Sequence, residues 1–241
     1  WPIALGITAL LIIVGASYYQ TIHAYPNGGG AYIVAKDNLG IYPGLVAAAS
    51  LLIDYILTVA VSVSAGTAAL ASAIPEFSNF RVPFALVIIA FITIMNLRGV
   101  KESGTFFSIP TYAFVLGIFV MVGFGIIRIL TGNIPAPLEE QVVVHDLSNA
   151  SSGLTLFIIL RAFAAGCTAL TGIEAISNGI PAFRRPESKN AGQTLVVMVA
   201  LLSSMFVGIT LLANYFPIHV EHHMETTVLS QIAGEVFGDG S

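Results

Sequence analysis

The run Gly166-Cys167-Thr168-Ala169-Leu170-Thr171-Gly172-Ile173-Glu174 lies inside an apolar stretch, 154–180, that is long enough to cross a bilayer. Glycine weakens a helix by roughly 1 kcal/mol relative to alanine, so glycines bracketing two threonines mark a place where a spanning helix can unwind. Discontinuous spans expose free carbonyls at one half-helix end and free amides at the other, and transporters build binding sites from both. The carbonyl end of the first half carries partial negative charge, which favours a cation. The competing reading is that the glycines only allow close helix packing, as small residues do in membranes. Thr171 and Glu174 favour the binding reading, because they add oxygen ligands beside the break.

The rest of the chain supports a membrane setting. Of 241 residues, 56% are hydrophobic and 9% charged, and the mean hydropathy is +0.89. A soluble domain carries about 25% charged residues, and a chain this poor in Lys, Glu, Arg and Asp could not cover its surface in water. The same composition excludes disorder. It predicts an all-α integral membrane protein. About six apolar stretches are of spanning quality, at 2–18, 44–74, 82–97, 106–130, 154–180 and 194–216. Together they are expected to form a single transmembrane domain over residues 1–241, with the long second span tilted or projecting from the bilayer.

Charge in the connections sets an expected orientation. Lys36 lies in loop 19–43, Arg98 and Lys101 in loop 98–105, and Arg184, Arg185 and Lys189 in loop 181–193. The intervening connections and the tail hold Arg81 but are mainly acidic, with Glu76, Glu139, Glu140, Asp146, Glu221, Glu225, Glu235 and Asp239. The positive-inside rule therefore places the basic loops in the cytoplasm, as for a multi-pass protein of the cell (plasma) membrane. The chain opens at Trp1-Pro2 with neither an initiator methionine nor a basic signal-peptide region, and stops at Gly238-Asp239-Gly240-Ser241. That reads as a fragment with sequence missing at both ends.

Asp54, Arg161 and Glu174 fall well inside expected spans. A charge at the centre of a spanning helix costs about 2.5–3.5 kcal/mol or more, so each is a functional candidate by default. Asp54 is the deepest, near the midplane at about 1.5 Å of rise per residue. Ser50, Asp54, Thr58 and Ser62 recur every four residues and stack their oxygens on one helix face. Such a stripe suits the wall of an ion or substrate path. The alternatives are hydroxyls bonded back to their own helix, and Asp54 as a buried ion-pair partner for Arg161. For Arg161 itself, nearer the end of its span, snorkelling or ion pairing is expected rather than substrate contact.

Several of these elements resemble a known family. The loop Tyr25-Pro26-Asn27-Gly28-Gly29-Gly30-Ala31-Tyr32 resembles the proline–glycine–glycine–tyrosine connection of amino acid–polyamine–organocation (APC) permeases. Gly172-Ile173-Glu174 resembles their glycine–hydrophobic–glutamate element. Within that superfamily, Asp54-Tyr55 with Thr58 and Ser62, Thr171 with Glu174, and the run Glu174–Phe183 are similar to the KimA-type potassium–proton symporters. The resemblance covers essentially the whole chain, as the second to seventh helices of that fold. It implies a LeuT-like fold of two inverted repeats, and a cation site lined by Asp54, Tyr55, Thr58, Ser62, Thr171 and Glu174. It also implies that the first helix, with its share of the site, lies outside this sequence.

The functional expectation is a secondary transporter working by alternating access, most readily for proton-coupled potassium uptake. Carboxylates, hydroxyls and carbonyls are the hard ligands that replace a cation's hydration shell, and a carboxylate can also carry a proton. A proton-coupled amino acid permease is the alternative, and an ion channel, which needs a continuous pore, follows behind it. No enzymatic constellation is visible, and no cofactor is expected beyond potassium and protons as transported ions. The expected partners are the lipid bilayer and a small-molecule or ion substrate, and a homodimer is compatible with the sequence. Net charge of −4 gives no reason to expect nucleic acid, and the single Cys167 cannot form an internal disulfide. Gly28-Gly29-Gly30 lacks the Gly-Lys-Ser/Thr of a phosphate loop and reads as a turn. His219, His222 and His223 read as a polar connection rather than a metal site, and Asn149-Ala150-Ser151 matches a glycosylation pattern that is common by chance.

Overall fold

The structure, a computed structural model, describes residues 2–133, 152–218 and 226–238. Its helices run in the order α1 (Pro2–Ala24), α2 (Gly30–Leu39), α3 (Ile41–Ala73), α4 (Arg81–Arg98), α5 (Val100–Leu130), α6 (Ser152–Gly166), α7 (Ile173–Asn178), α8 (Glu187–Tyr215) and α9 (Val228–Phe237). Short 3-10 turns occupy Pro75–Phe80, Cys167–Leu170 and Ile180–Ala182. Among the described residues, five helices are long and apolar enough to cross a membrane: Pro2–Ala24, Ile41–Ala73, Glu76–Arg98, Gly104–Leu130 and Glu187–Tyr215. The remaining expected span, 154–180, is broken between its glycines, as their spacing suggests. The apolar surface of these helices needs lipid or further protein over it. On α4, for example, Val82, Leu86 and Leu97 are 71%, 62% and 83% exposed, and no residue is buried.

Three boundaries depart from expectation. Helix α1 continues past Tyr18 to Ala24, although Gln20, Thr21 and His23 end the apolar run. Two of these polar groups bond back to the helix itself: the Thr21 hydroxyl donates to the Ser17 carbonyl at 3.1 Å, and His23 Nδ1 pairs with the Tyr19 carbonyl at 2.9 Å. Helix α2 occupies part of the connection 19–43, entered through Gly29 and closed by Gly40, whose amide donates to the Lys36 carbonyl. Helix α9 lies in the region read as an acidic tail. Thr227 caps its start by accepting from the Ser230 amide, and Ile232 and Val236, one turn apart, are its buried face. At ten residues it is too short to register as a span. His219, His222, His223, Glu221, Glu225 and Asp239 lie outside the described residues, as do Glu139, Glu140, Asp146 and Asn149-Ala150-Ser151.

The chain packs as two compact units, Trp1–Tyr55 with Leu138–Thr210, and Ile56–Pro137 with Leu211–Ser241. The core of the first joins Leu11 and Ile22 of α1, Ile173 of α7, Ile180, and Ala191 and Leu195 of α8. Glycines let these helices approach closely. A Cβ at Gly166 would strike Ile7 Cδ1, and one at Gly15 would lie 2.7 Å from a Val199 methyl. In the second unit, a Cβ at Gly125 would run into Leu212, and Phe124 stacks on Phe237 with ring centres 5.7 Å apart. Arg128 serves the C-terminal end of α9 there. Its Nη1 donates to the carbonyls of Glu235 and Val236, and its guanidinium lies 5.8 Å from the centre of the Phe216 ring. A cation at a helix C-terminus offsets the partial negative charge of the orphan carbonyls.

Candidate functional site

The break is built residue by residue from the quoted run. Helix α6 ends at Gly166, the chain tightens into the 3-10 turn, and Thr171 turns extended at φ −62°, ψ 140°. Gly172 then takes a left-handed conformation at φ 92°, ψ −25°, and α7 begins. The two glycines do different work. Gly166 is helical at φ −67°, ψ −28° and is a packing residue, pressed on Ile7. A Cβ at Gly172 would meet nothing within 4 Å, so packing does not account for it. Its backbone angle does, because side chains other than glycine rarely adopt it. The Thr171 hydroxyl donates to the Thr168 carbonyl at 2.8 Å, which leaves its oxygen lone pairs free to face a ligand.

Beside this break lies a cavity of about 220 Å³, into which converge Tyr18 from α1, Asp54 and Tyr55 from α3, Cys167 and Thr171 from the break, and Glu174 from α7. Asp54, Tyr55, Thr171 and Glu174, expected as site residues from sequence, are thus brought together. Thr58 and Ser62 continue along the same unbroken helix, so they share a face with Asp54, but they do not line the cavity. Asp54 forms no ion pair with Arg161, which is exposed on α6, so the structural-partner reading of Asp54 has no support here.

The carboxylates of Asp54 and Glu174 lie close enough to repel one another. Tyr18 and Asn178 are polar neighbours of Glu174. Even so, Glu174 Oε1 is buried and accepts no hydrogen bond. A buried acceptor without a partner costs on the order of 1–3 kcal/mol, more when charged. Two carboxylates, a phenol oxygen and a threonine oxygen around one small space are oxygen donors of the kind a hard cation takes, and a cation's charge would offset both the repulsion and the missing partner.

Tyr18 and Asn178 were not expected as site neighbours. Tyr18 stands at the apparent end of an apolar run, where a tyrosine reads as an interfacial anchor; only the continuation of α1 to Ala24 makes it an interior residue. Asn178, at the last position of α7, donates through Nδ2 to the Tyr55 hydroxyl. The glycine loop is seated against the same end of α7. Gly28, Gly29 and Gly30 have φ of 82°, 98° and 44°, and a Cβ at Gly28 would lie 2.9 Å from Pro181 Cδ and 3.0 Å from the Asn178 carbonyl. The loop is a tight turn, as its sequence suggests.

Among the described residues, five helices long and apolar enough to span a membrane and a further apolar stretch broken at a polar cavity fit a membrane permease of the broken-helix class. The sequence pattern of the amino acid permease family matches residues 1–237, and the chain belongs to that family, with the LeuT-like fold that it implies. The potassium transporter KimA of Bacillus subtilis (strain 168) is 48% identical over 237 residues, which are 98% of this chain and 38% of that protein. The low-affinity putrescine importer PlaP of Escherichia coli (strain K12) is 23% identical over 219 residues, 89% of this chain and 45% of that protein. The chain thus spans less than half the length of the curated relatives it matches.

Proposed function

We propose that this chain carries the cation site of a secondary transporter that takes up potassium together with protons across the plasma membrane by alternating access. The observation that carries the reading is the pair Asp54 and Glu174 at the helix break, with Glu174 Oε1 buried and unpaired. Tyr55 and Thr171 complete the oxygen ligands, and Thr58 and Ser62, one and two turns further along α3, stay candidates from their spacing in the sequence. A cavity of about 220 Å³ is below the roughly 300–1,000 Å³ of small-molecule pockets, which suits an ion with residual water. The similarity to a potassium transporter over 98% of the chain supports the same choice. Glu174 and Asp54 also supply the proton sites that coupling requires. Loops 19–43, 98–105 and 181–193 face the cytoplasm in this account, from their basic residues.

Uptake of a small organic amine is the second reading, favoured by the family description and the putrescine importer's 23% identity. Two carboxylates would suit a diamine as well as a metal cation. Rubidium uptake by the full-length protein, expressed in a potassium-uptake-deficient host, separates the two. Potassium transport predicts saturable uptake that potassium competes away, that putrescine and amino acids leave unchanged, and that external pH modulates. Putrescine or amino acid uptake in the absence of any rubidium uptake would give the second reading precedence.

A further inference from the structure

Asn178 links two features that lie on opposite sides of it. Its Nδ2 donates to the Tyr55 hydroxyl, and Tyr55 stands beside Asp54 on the cavity wall. Its Oδ1 is buried, accepts no hydrogen bond, and is directed at Gly30, where a Cβ would collide with it. Gly30 opens α2, and α2 is tied back onto the glycine loop by Asn38, whose Nδ2 donates to the Tyr25 hydroxyl at 3.0 Å. The Asn178 amide therefore sits against Gly30 on one side and gives one of its two N–H donors to the Tyr55 phenol on the other, with Glu174 a further polar neighbour. A phenol has one proton and two acceptor lone pairs. With one lone pair occupied by Asn178, the Tyr55 proton and remaining lone pair are restricted to the directions away from that amide.

We propose that Asn178 is a positioning residue for the cation site: the amide wedged against Gly30 orients the Tyr55 hydroxyl toward the space shared with Asp54 and Glu174. It acts through Tyr55 and does not itself line the cavity. The role rests on the potassium reading given above. It explains the glycine at position 30, since a side chain there would push the amide out of register. It also explains a buried amide with an unpaired oxygen, a state that native proteins tolerate mainly where it serves function.

A double-mutant cycle on the full-length protein tests this, with apparent KM for rubidium as the readout alongside folded yield. Asn178→Ala should raise apparent KM about threefold to tenfold, the range for losing one neutral hydrogen bond, with maximal rate changed less. Tyr55→Phe should raise it at least as much. In the Tyr55→Phe background, Asn178→Ala should cost clearly less than it does alone, because the group it orients is gone and only its contact with Glu174 remains. If alanine lowers the folded yield, Asn178→Leu keeps size and branching, removes both polar atoms, and should give the same pattern. Additive effects, or a wild-type KM in a folded Asn178 variant, would overturn the positioning role while Tyr55→Phe still marks the site. Wild-type KM in Tyr55→Phe and in Asp54→Asn would instead overturn the cation site, and the positioning role with it.

Discussion

Replacing Gly172 with alanine in the full-length protein isolates the energetic requirement of the helix break. At φ 92°, ψ −25° the residue is left-handed, and an added Cβ meets no atom within 4 Å. No steric clash enters, so the whole effect is the backbone penalty, about 1–2 kcal/mol for an L-residue held in that region. At 1.4 kcal/mol per factor of ten, the broken conformation should fall about fivefold to thirtyfold relative to alternatives. If only that conformation binds the cation, apparent affinity drops by the same factor. Rubidium uptake across a concentration series measures it, with size-exclusion of the solubilised protein as the control for folding. Gly172→Asn sharpens the test, because asparagine tolerates the left-handed region better than alanine although it is larger. Asparagine should retain more affinity than alanine. Equal affinity for alanine and wild type, or a better result with alanine than with asparagine, would refute the backbone argument.

Other outcomes follow from the same structure. Arg128→Gln removes the charged donor to the Glu235 and Val236 carbonyls, at about 1.5–3 kcal/mol for a charge-assisted bond; hydrogen exchange should speed up in Val228–Phe237 while α8 is little changed, and uniform exchange would contradict the capping role. Gly28→Ala meets both a positive φ and backbone at 3.0 Å, whereas Gly132→Ala meets only the φ of 71° in open space. The first should therefore lower Tm more than the second, and equal shifts would remove the packing argument. Lys189→Cys should react with an impermeant thiol reagent only from the cytoplasmic side and Ser78→Cys only from outside; labelling of Lys189→Cys in intact cells would reverse the orientation.

The fold was legible from composition and from the lengths of apolar runs because lipid imposes a simple rule: a span must be long, apolar and internally hydrogen-bonded. The break in 154–180 was legible as well, since glycines beside threonines and a carboxylate mark weak helix and polar need together. What Gly166 and Gly172 each do was not. One glycine is crowded by Ile7 and the other sits in open space at a left-handed angle, a difference that depends on a helix distant in sequence. The C-terminal end of α1 escaped for a similar reason: Thr21 and His23 look like loop residues but bond back to their own helix. Asp54, Tyr55, Thr171 and Glu174 announced themselves by charge and by family resemblance. Tyr18 and Asn178 carry no such signal, because an aromatic at a span end and an amide at a helix end are ordinary in any membrane protein.

In the proposed function Asp54 and Glu174 together bind one cation at the break. Equilibrium binding of radioactive rubidium to the purified full-length protein tests it most directly, comparing wild type with Asp54→Asn and Glu174→Gln. Losing one charge partner of a bound ion costs about 2–5 kcal/mol, so each variant should bind at least about thirtyfold more weakly, with potassium competing in the wild type. Wild-type rubidium affinity in both variants, with the proteins folded, would contradict the claim.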